Sequence, residues 1–173
     1  MLPNRCFVLG GAASGKSLWA ETLTEKYGKS MIYVATGQAF DPEMEQRVKI
    51  HKDRRNRNWT TAEAPMDLGP VLASATAENV LLIDCATMWL SNQMMAESDL
   101  QAAQSSLTDS LARCAAPWII VSNEVGHGIV PDNKLARAFR EAQGRLNCVL
   151  AAHSDLAVMI TAGLPQVLKG ELP

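Results

Sequence analysis

Short apolar runs alternate with amphipathic stretches along the whole chain. Cys6-Phe7-Val8-Leu9, Ser30-Met31-Ile32-Tyr33-Val34-Ala35, Val80-Leu81-Leu82-Ile83-Asp84, Trp118-Ile119-Ile120-Val121-Ser122-Asn123 and Leu156-Ala157-Val158-Met159-Ile160 each carry four or more apolar residues in succession rather than at every second position, three of them bounded by a polar end. That pattern predicts strands buried on both faces. Helical signals fill the intervals. Leu18 onward reads as a helix, with Gly28 as its C-cap. Asp41-Pro42-Glu43 sets an N-cap, a proline in the first turn and an acid behind it, opening a helix that runs through Arg57. Further helices are expected over about 67–76, 88–97 and 99–115, and from a cap at Asp132 to about Ala152. Trp59 to Glu63 is a short extended segment, and 156–160 is expected to be the last strand.

Apolar strands separated by helices predict an α/β fold: a mostly parallel sheet with helices on both faces, forming one domain over 1–173. In such sheets ligands lie beyond the carboxyl ends of the strands. Four polar features fall there: the loop after the first strand, Thr36-Gly37, Asp84, and Asn123-Glu124.

The loop after the first strand is Gly10-Gly11-Ala12-Ala13-Ser14-Gly15-Lys16-Ser17. In a strand–loop–helix setting, G-x-x-x-x-G-K-[ST] is the phosphate-binding P-loop. Two glycines let backbone N–H groups converge on a phosphate at the positive end of a helix. Lys16 is placed to reach the β- and γ-phosphates, and the Ser17 hydroxyl to ligate Mg²⁺. The expected fold is therefore a P-loop NTPase of the RecA-like kind that binds a nucleoside triphosphate. Asp84 ends its strand as a Walker-B acid does, and the metal role is the favoured reading over a cap on the next helix. The N-K-x-D signature of G proteins is missing, since Asn133-Lys134 continues into Leu135-Ala136.

On a helix, Arg47, His51, Arg54 and Arg55 share one face. Two readings fit. One is a solvated basic face. The other is a phosphate-binding face in which neighbouring cations keep the His51 imidazole neutral and nucleophilic, able to form a covalent nucleotidyl intermediate. Glu124 is either an acid/base group or a carboxylate anchoring loop N–H groups. His127 reads as a loop residue near the site, His153 as helix surface or helix end, and the tryptophans Trp19, Trp59, Trp89 and Trp118 as packing.

Composition narrows the field further. The chain has 173 residues, 47% of them hydrophobic and 20% charged, which suits a globular fold. A net charge of −2 gives no case for nucleic acid or a membrane surface. No apolar run is long enough for a membrane span. The first strand begins too early for a signal peptide, so a cytoplasmic location is expected. Four scattered cysteines without a C-x-x-C pair suit reduced thiols.

Several longer stretches carry a resemblance. They are Gly10 to Ser17, Tyr33-Val34-Ala35-Thr36, D-x-E-M-x-x-R from Asp41, H-K-D-x-R from His51, and W-x-T-x-E from Trp59. S-N-E-V-G-x-G-I-V-P from Ser122, L-A-R-x-F-R from Leu135 and G-x-x-N from Gly144 complete the set. The chain resembles the bifunctional adenosylcobinamide kinase / adenosylcobinamide-phosphate guanylyltransferase family of cobalamin biosynthesis. The resemblance implies two reactions, phosphorylation of adenosylcobinamide and transfer of GMP from GTP, with ATP and GTP as nucleotide substrates and Mg²⁺ as the metal. It implies that His51 carries the GMP. It places nucleotide contacts on the P-loop, on Ala35, Thr36 and Gly37, on Lys52, Asp53, Arg54 and Arg55, and on Glu63 and Asp84, with Ser17 and Asp84 as metal ligands. It also implies a corrinoid partner and a homotrimer. Three positions depart from the family pattern: Ala13 where arginine is usual, Asp84 where some members have Glu, and His127 where Met is frequent.

Overall fold

The computed structural model describes residues 1–37 and 58–173. The helix expected over 41–57, and with it Arg47 and the segment His51, Lys52, Asp53, Arg54 and Arg55, lies outside the described residues. In chain order the described elements are β1 (Arg5–Gly10), α1 (Lys16–Glu25), β2 (Ser30–Ala35), β3 (Trp59–Glu63), α2 (Gly69–Ser74) and β4 (Asn79–Asp84). They continue with α3 (Ala86–Met95), α4 (Leu100–Arg113), β5 (Trp118–Asn123), α5 (Lys134–His153), β6 (Leu156–Thr161) and β7 (Leu164–Lys169).

The strands form one sheet in the order β3-β2-β4-β5-β1-β6-β7. All neighbours pair in parallel except β6 with β7. Period-two alternation sorts the apolar runs onto two faces. Phe7, Leu9, Leu81, Ile83 and Ile120 join Leu72 of α2, Trp89 and Leu90 of α3, Leu107 and Leu111 of α4, and Leu146 and Leu150 of α5 in one core. Cys6, Val8, Leu82, Ile119 and Val121 turn the other way, against Ala20 and Leu23 of α1. Both faces are covered, which is why these strands are apolar without interruption. The tryptophans pack as expected: Trp89 and Trp118 are buried, and Trp19 and Trp59 lie against the α1-side core.

Helix ends follow local chemistry. Asp99 caps α4 by accepting from the Gln101 and Ala102 N–H groups. The cap of α5 is Asn133, one residue beyond the expected Asp132; its Oδ1 accepts from Ala136 N at 2.7 Å. α3 begins at Ala86, two residues ahead of the expected start.

β6 is followed by a further strand that the apolar pattern did not predict. Ala162 (φ 51°) and Gly163 (φ 79°) form a tight two-residue turn with both φ values positive, the hallmark of hairpin turns that match strand twist. β7 returns antiparallel at the sheet edge, where Pro165 removes no needed donor. Leu164, Val167 and Leu168 stay exposed, so β7 lacks the buried run that marks the other strands. Among the described residues no helix is long and apolar enough to cross a membrane.

Position in this sheet decides what a truncation does. Ile120→Ala, fully buried at the sheet centre, is expected to lower unfolding free energy by about 2–5 kcal/mol. Leu164→Ala on the exposed edge is expected to stay within about 0.5 kcal/mol of the parent. Urea denaturation of both variants measures the contrast.

Candidate nucleotide site

Because the parallel strands share one direction, the ends of β1, β2, β4 and β5 meet at one edge. The register sets Gly10 opposite both Asn123 and Ile160, and Ala35 opposite both Glu63 and Asp84. Only β5 separates the strand of the glycine loop from the strand of the acid.

The loop between β1 and α1 is tightly folded. A Cβ on Gly10 would stand 2.5 Å from Ser14 Oγ and 2.9 Å from the Ile160 carbonyl oxygen, so only glycine fits. Ser14 N–H donates to the Gly11 carbonyl at 3.3 Å, and Gly15 enters α1 with φ at 90°, a left-handed value glycine tolerates. Ala13 also takes a positive φ, 55°. Ala12, Ala13 and Gly15 are exposed, while Ser14, Lys16 and Ser17 are half-buried. Lys16 folds back and donates from Nζ to the Gly11 carbonyl at 3.0 Å. Burial pulls the Lys16 pKa below its ordinary value, and the nearby Cys85 and Asp84 pull it partly back up. The ammonium therefore lies within electrostatic reach of Asp84.

The acid strand is fixed from β2. Thr36 is fully buried. Its N–H donates to the Asp84 carbonyl at 3.2 Å, and its hydroxyl both donates to the Cys85 carbonyl and accepts from the Cys85 N–H, each at 2.7 Å. Asn92 of α3 donates to the Thr36 and Pro65 carbonyls at 2.8 and 2.9 Å. Tyr33 donates its hydroxyl proton to Asp84 Oδ2 at 3.1 Å. The N-cap position of α3 falls on Cys85, so Asp84 stands one residue outside the helix. The Thr36 side chain thus holds backbone in place, whereas Gly37 and Glu63 are exposed at the same edge.

Between these two strands, the end of β5 rests on a buried polar cluster that sequence reading missed. Ser122 Oγ donates to Asn147 Oδ1 at 2.7 Å, Gln143 Nε2 donates to both, and Thr87 Oγ1 accepts from the Asn123 N–H at 2.8 Å. Ser122 ending an apolar strand, and Gln143 with Asn147 one turn apart on α5, were the available signals. Beyond β5, Glu124 accepts from the Gly126 N–H, the anchoring role among its two readings. Arg140 donates to the Gly126 and Ile129 carbonyls and Arg137 to those of Pro131 and Asp132. His127 is exposed on this loop. His153 ends α5, exposed, with Nδ1 near the Val149 carbonyl.

Of the residues singled out, the P-loop, Ala35, Thr36, Gly37, Glu63 and Asp84 share this edge. Ser17 and Asp84 offer hard oxygen donors of the kind Mg²⁺ accepts alongside phosphate and water. Among the described residues no cluster of three or more His, Cys, Asp or Glu could hold a metal by itself.

A parallel sheet with a glycine loop leading into a helix, and an acid strand set beyond one intervening strand, defines a nucleotide-binding P-loop fold. The chain aligns with the P4 protein of bacteriophage phi6, solved with ADP, at a TM-score of 0.50 and 17% identity over 95% of its length, spanning 53% of that structure. A Pyrococcus horikoshii OT3 structure aligns at a TM-score of 0.55 and 6% identity, covering 99% of this chain and 89% of the other. At those identities the likeness concerns the fold alone. The particular family follows from sequence. The model for cobinamide kinase / cobinamide phosphate guanyltransferase matches residues 6–168, and the chain belongs to that family. It is 39% identical to the bifunctional adenosylcobalamin biosynthesis protein CobP of Pseudomonas aeruginosa, covering 96% of this chain and 98% of the relative. It is 36% identical to the bifunctional adenosylcobalamin biosynthesis protein CobU of Salmonella typhimurium, covering 94% and 98%.

The buried thiols give the fold a pH signature. Burial, with the Asp84 charge adding to it, pushes Cys85 from an ordinary 9.0 to about 12, and burial with Asp155 does the same to Cys6. Native thiols thus stay protonated where unfolded ones ionise. Stability is expected to be intact below pH 9.0 and to fall as pH rises toward about 12, read as a declining urea midpoint. Iodoacetamide at about pH 8 is expected to label exposed Cys148 and to spare Cys6 and Cys85 until unfolding, checked by peptide mass mapping.

Proposed function

We propose that the chain performs both reactions its family is named for, on adenosylcobinamide and then on its phosphate. In the first, the hydroxyl oxygen of the aminopropanol arm attacks the γ-phosphorus of a nucleoside triphosphate, giving up its proton to water, as the bond to the β-phosphate oxygen breaks and the nucleoside diphosphate leaves. In the second, an imidazole nitrogen of His51 attacks the α-phosphorus of GTP. The P–N bond forms as the Pα–O bond to pyrophosphate breaks. A phosphate oxygen of adenosylcobinamide phosphate then attacks that phosphorus, breaking the P–N bond and giving adenosyl-GDP-cobinamide. The covalent intermediate divides one hard transfer into two easier ones.

The observation that carries this reading is the family match, which runs from 6 to 168 and so spans both the P-loop and His51. The geometry of the edge supports it. In this reading the N–H groups from Gly10, Gly11, Ala12, Ala13, Ser14 and Gly15 to Ser17 cradle the phosphates at the start of α1, and Lys16 leaves Gly11 to neutralise the β- and γ-phosphates. Ser17 and Asp84 would hold Mg²⁺, which when bound draws charge from those phosphates. Ala35, Thr36, Gly37 and Glu63 flank the nucleotide from the β2–β3 side. Lys52, Asp53, Arg54 and Arg55 accompany His51, the cations steadying the transferring phosphoryl group. The acting species is a homo-oligomer, a trimer by family likeness, working in the cytoplasm.

GTP with Mg²⁺ is expected to leave an acid-labile, alkali-stable GMP adduct, seen by mass spectrometry and mapped to His51. His51→Ala should lose the adduct and at least about 10³-fold in guanylyl transfer while keeping kinase activity. Absence of an adduct on protein that phosphorylates cobinamide would leave a kinase alone. Lys16→Ala is expected to lower both activities by at least about 10²-fold, because one triphosphate grip serves both.

A further inference from the structure

The tip of the β6–β7 hairpin rests on the glycine loop. Gly163 N–H donates to the Ser14 carbonyl at 2.8 Å. A Cβ on Gly15 would stand 3.1 Å from Gly163 Cα, and one on Gly10 2.9 Å from the Ile160 carbonyl oxygen. β6 and its turn therefore run along the flank of the loop that faces away from Asp84, since the sheet order is β4-β5-β1-β6-β7.

This contact has a geometric consequence. A trans peptide is planar, with its C=O and N–H pointing in opposite directions. A Ser14 carbonyl held toward the hairpin turns the Gly15 N–H away from the hairpin. We propose that the β6–β7 turn, through Gly163, is a positioning element that sets the Ser14–Gly15 peptide of the nucleotide cradle. The proposal rests on reading 10–17 as a triphosphate cradle. It also gives β7 a purpose that burial does not supply. The strand leaves Leu164, Val167 and Leu168 exposed, yet its pairing with β6 holds the turn against the loop.

The turn is demanding at the point of contact. Gly163 holds φ at 79°, where an L side chain is strained, and no heavy atom lies within 4 Å of a Cβ built there. Substitutions at this position thus test backbone conformation, with open space at the Cβ position. Asparagine tolerates the left-handed region, alanine less, and a β-branched side chain least.

The experiment compares Gly163→Asn, Gly163→Ala and Gly163→Val with the parent. Binding of a fluorescent GTP analogue, KM and kcat of both reactions, and hydrogen exchange across 10–17 and 118–123 are measured. The expected order is Asn within about twofold of the parent, Ala weakened about threefold to fivefold, and Val more than about tenfold. The effect is expected in nucleotide Kd and KM, with kcat at saturation kept. Exchange should rise in the loop while β5 stays protected. A Gly163→Val protein that binds nucleotide like the parent would overturn the hairpin's role alone. A loss of protection in β5 equal to that in the loop would also overturn it, by showing general destabilisation. A parent that fails to bind GTP would overturn the cradle reading and this proposal together.

Discussion

The absence of room around Gly10 is the constraint on which the edge of this sheet depends. The place a side chain would take there is filled by the Ser14 hydroxyl and the Ile160 carbonyl oxygen. A loop that begins under such compression can leave the strand in few directions. Its backbone curls above β1 and delivers Lys16 to the start of α1. The parallel pairing of β1 with β6 places the Ile160 carbonyl there, so the loop's shape is a property of the sheet as much as of its glycines.

The second organising unit is the lock between β2 and the end of β4. One hydroxyl, that of Thr36, occupies both backbone groups of Cys85, while Asn92 occupies the Thr36 carbonyl. Buried polar groups left unpaired cost about 1–3 kcal/mol each, so full satisfaction here fixes three elements in one arrangement. Asp84 inherits that fixity, with Tyr33 orienting its carboxylate. The polar cluster at the end of β5 performs the same service for Asn123, tying β5 to α3 and α5.

Much of this was legible in the chain because it rests on burial or on backbone conformation. Val80 to Ile83 can only be a covered strand, and Gly10, Gly15, Lys16 and Ser17 announce a phosphate loop by spacing alone. Less legible were features that depend on where distant segments meet. Ser122 lies far along the chain from Gln143 and Thr87, and nothing local marks them as partners. β7 escaped notice because Pro165 and an exposed surface remove both usual strand signals. The shift from Asp132 to Asn133 as helix cap is a contest between adjacent residues of nearly equal capping strength. The role of Thr36 was legible only in location: its place at the edge was plain, while its hydrogen bonds to Cys85 needed the register of β2 on β4.

The loop after β5 is braced from below by α5. Arg137 and Arg140 reach the carbonyls of Gly126, Ile129, Pro131 and Asp132, and Glu124 closes the turn from within. Ile129 is nevertheless 96% exposed and Val130 67%. Two aliphatic side chains are thus held out in water on backbone that is already ordered. Covering them would withdraw apolar surface from water at little further cost in backbone entropy, since the loop that carries them is already hydrogen-bonded to α5.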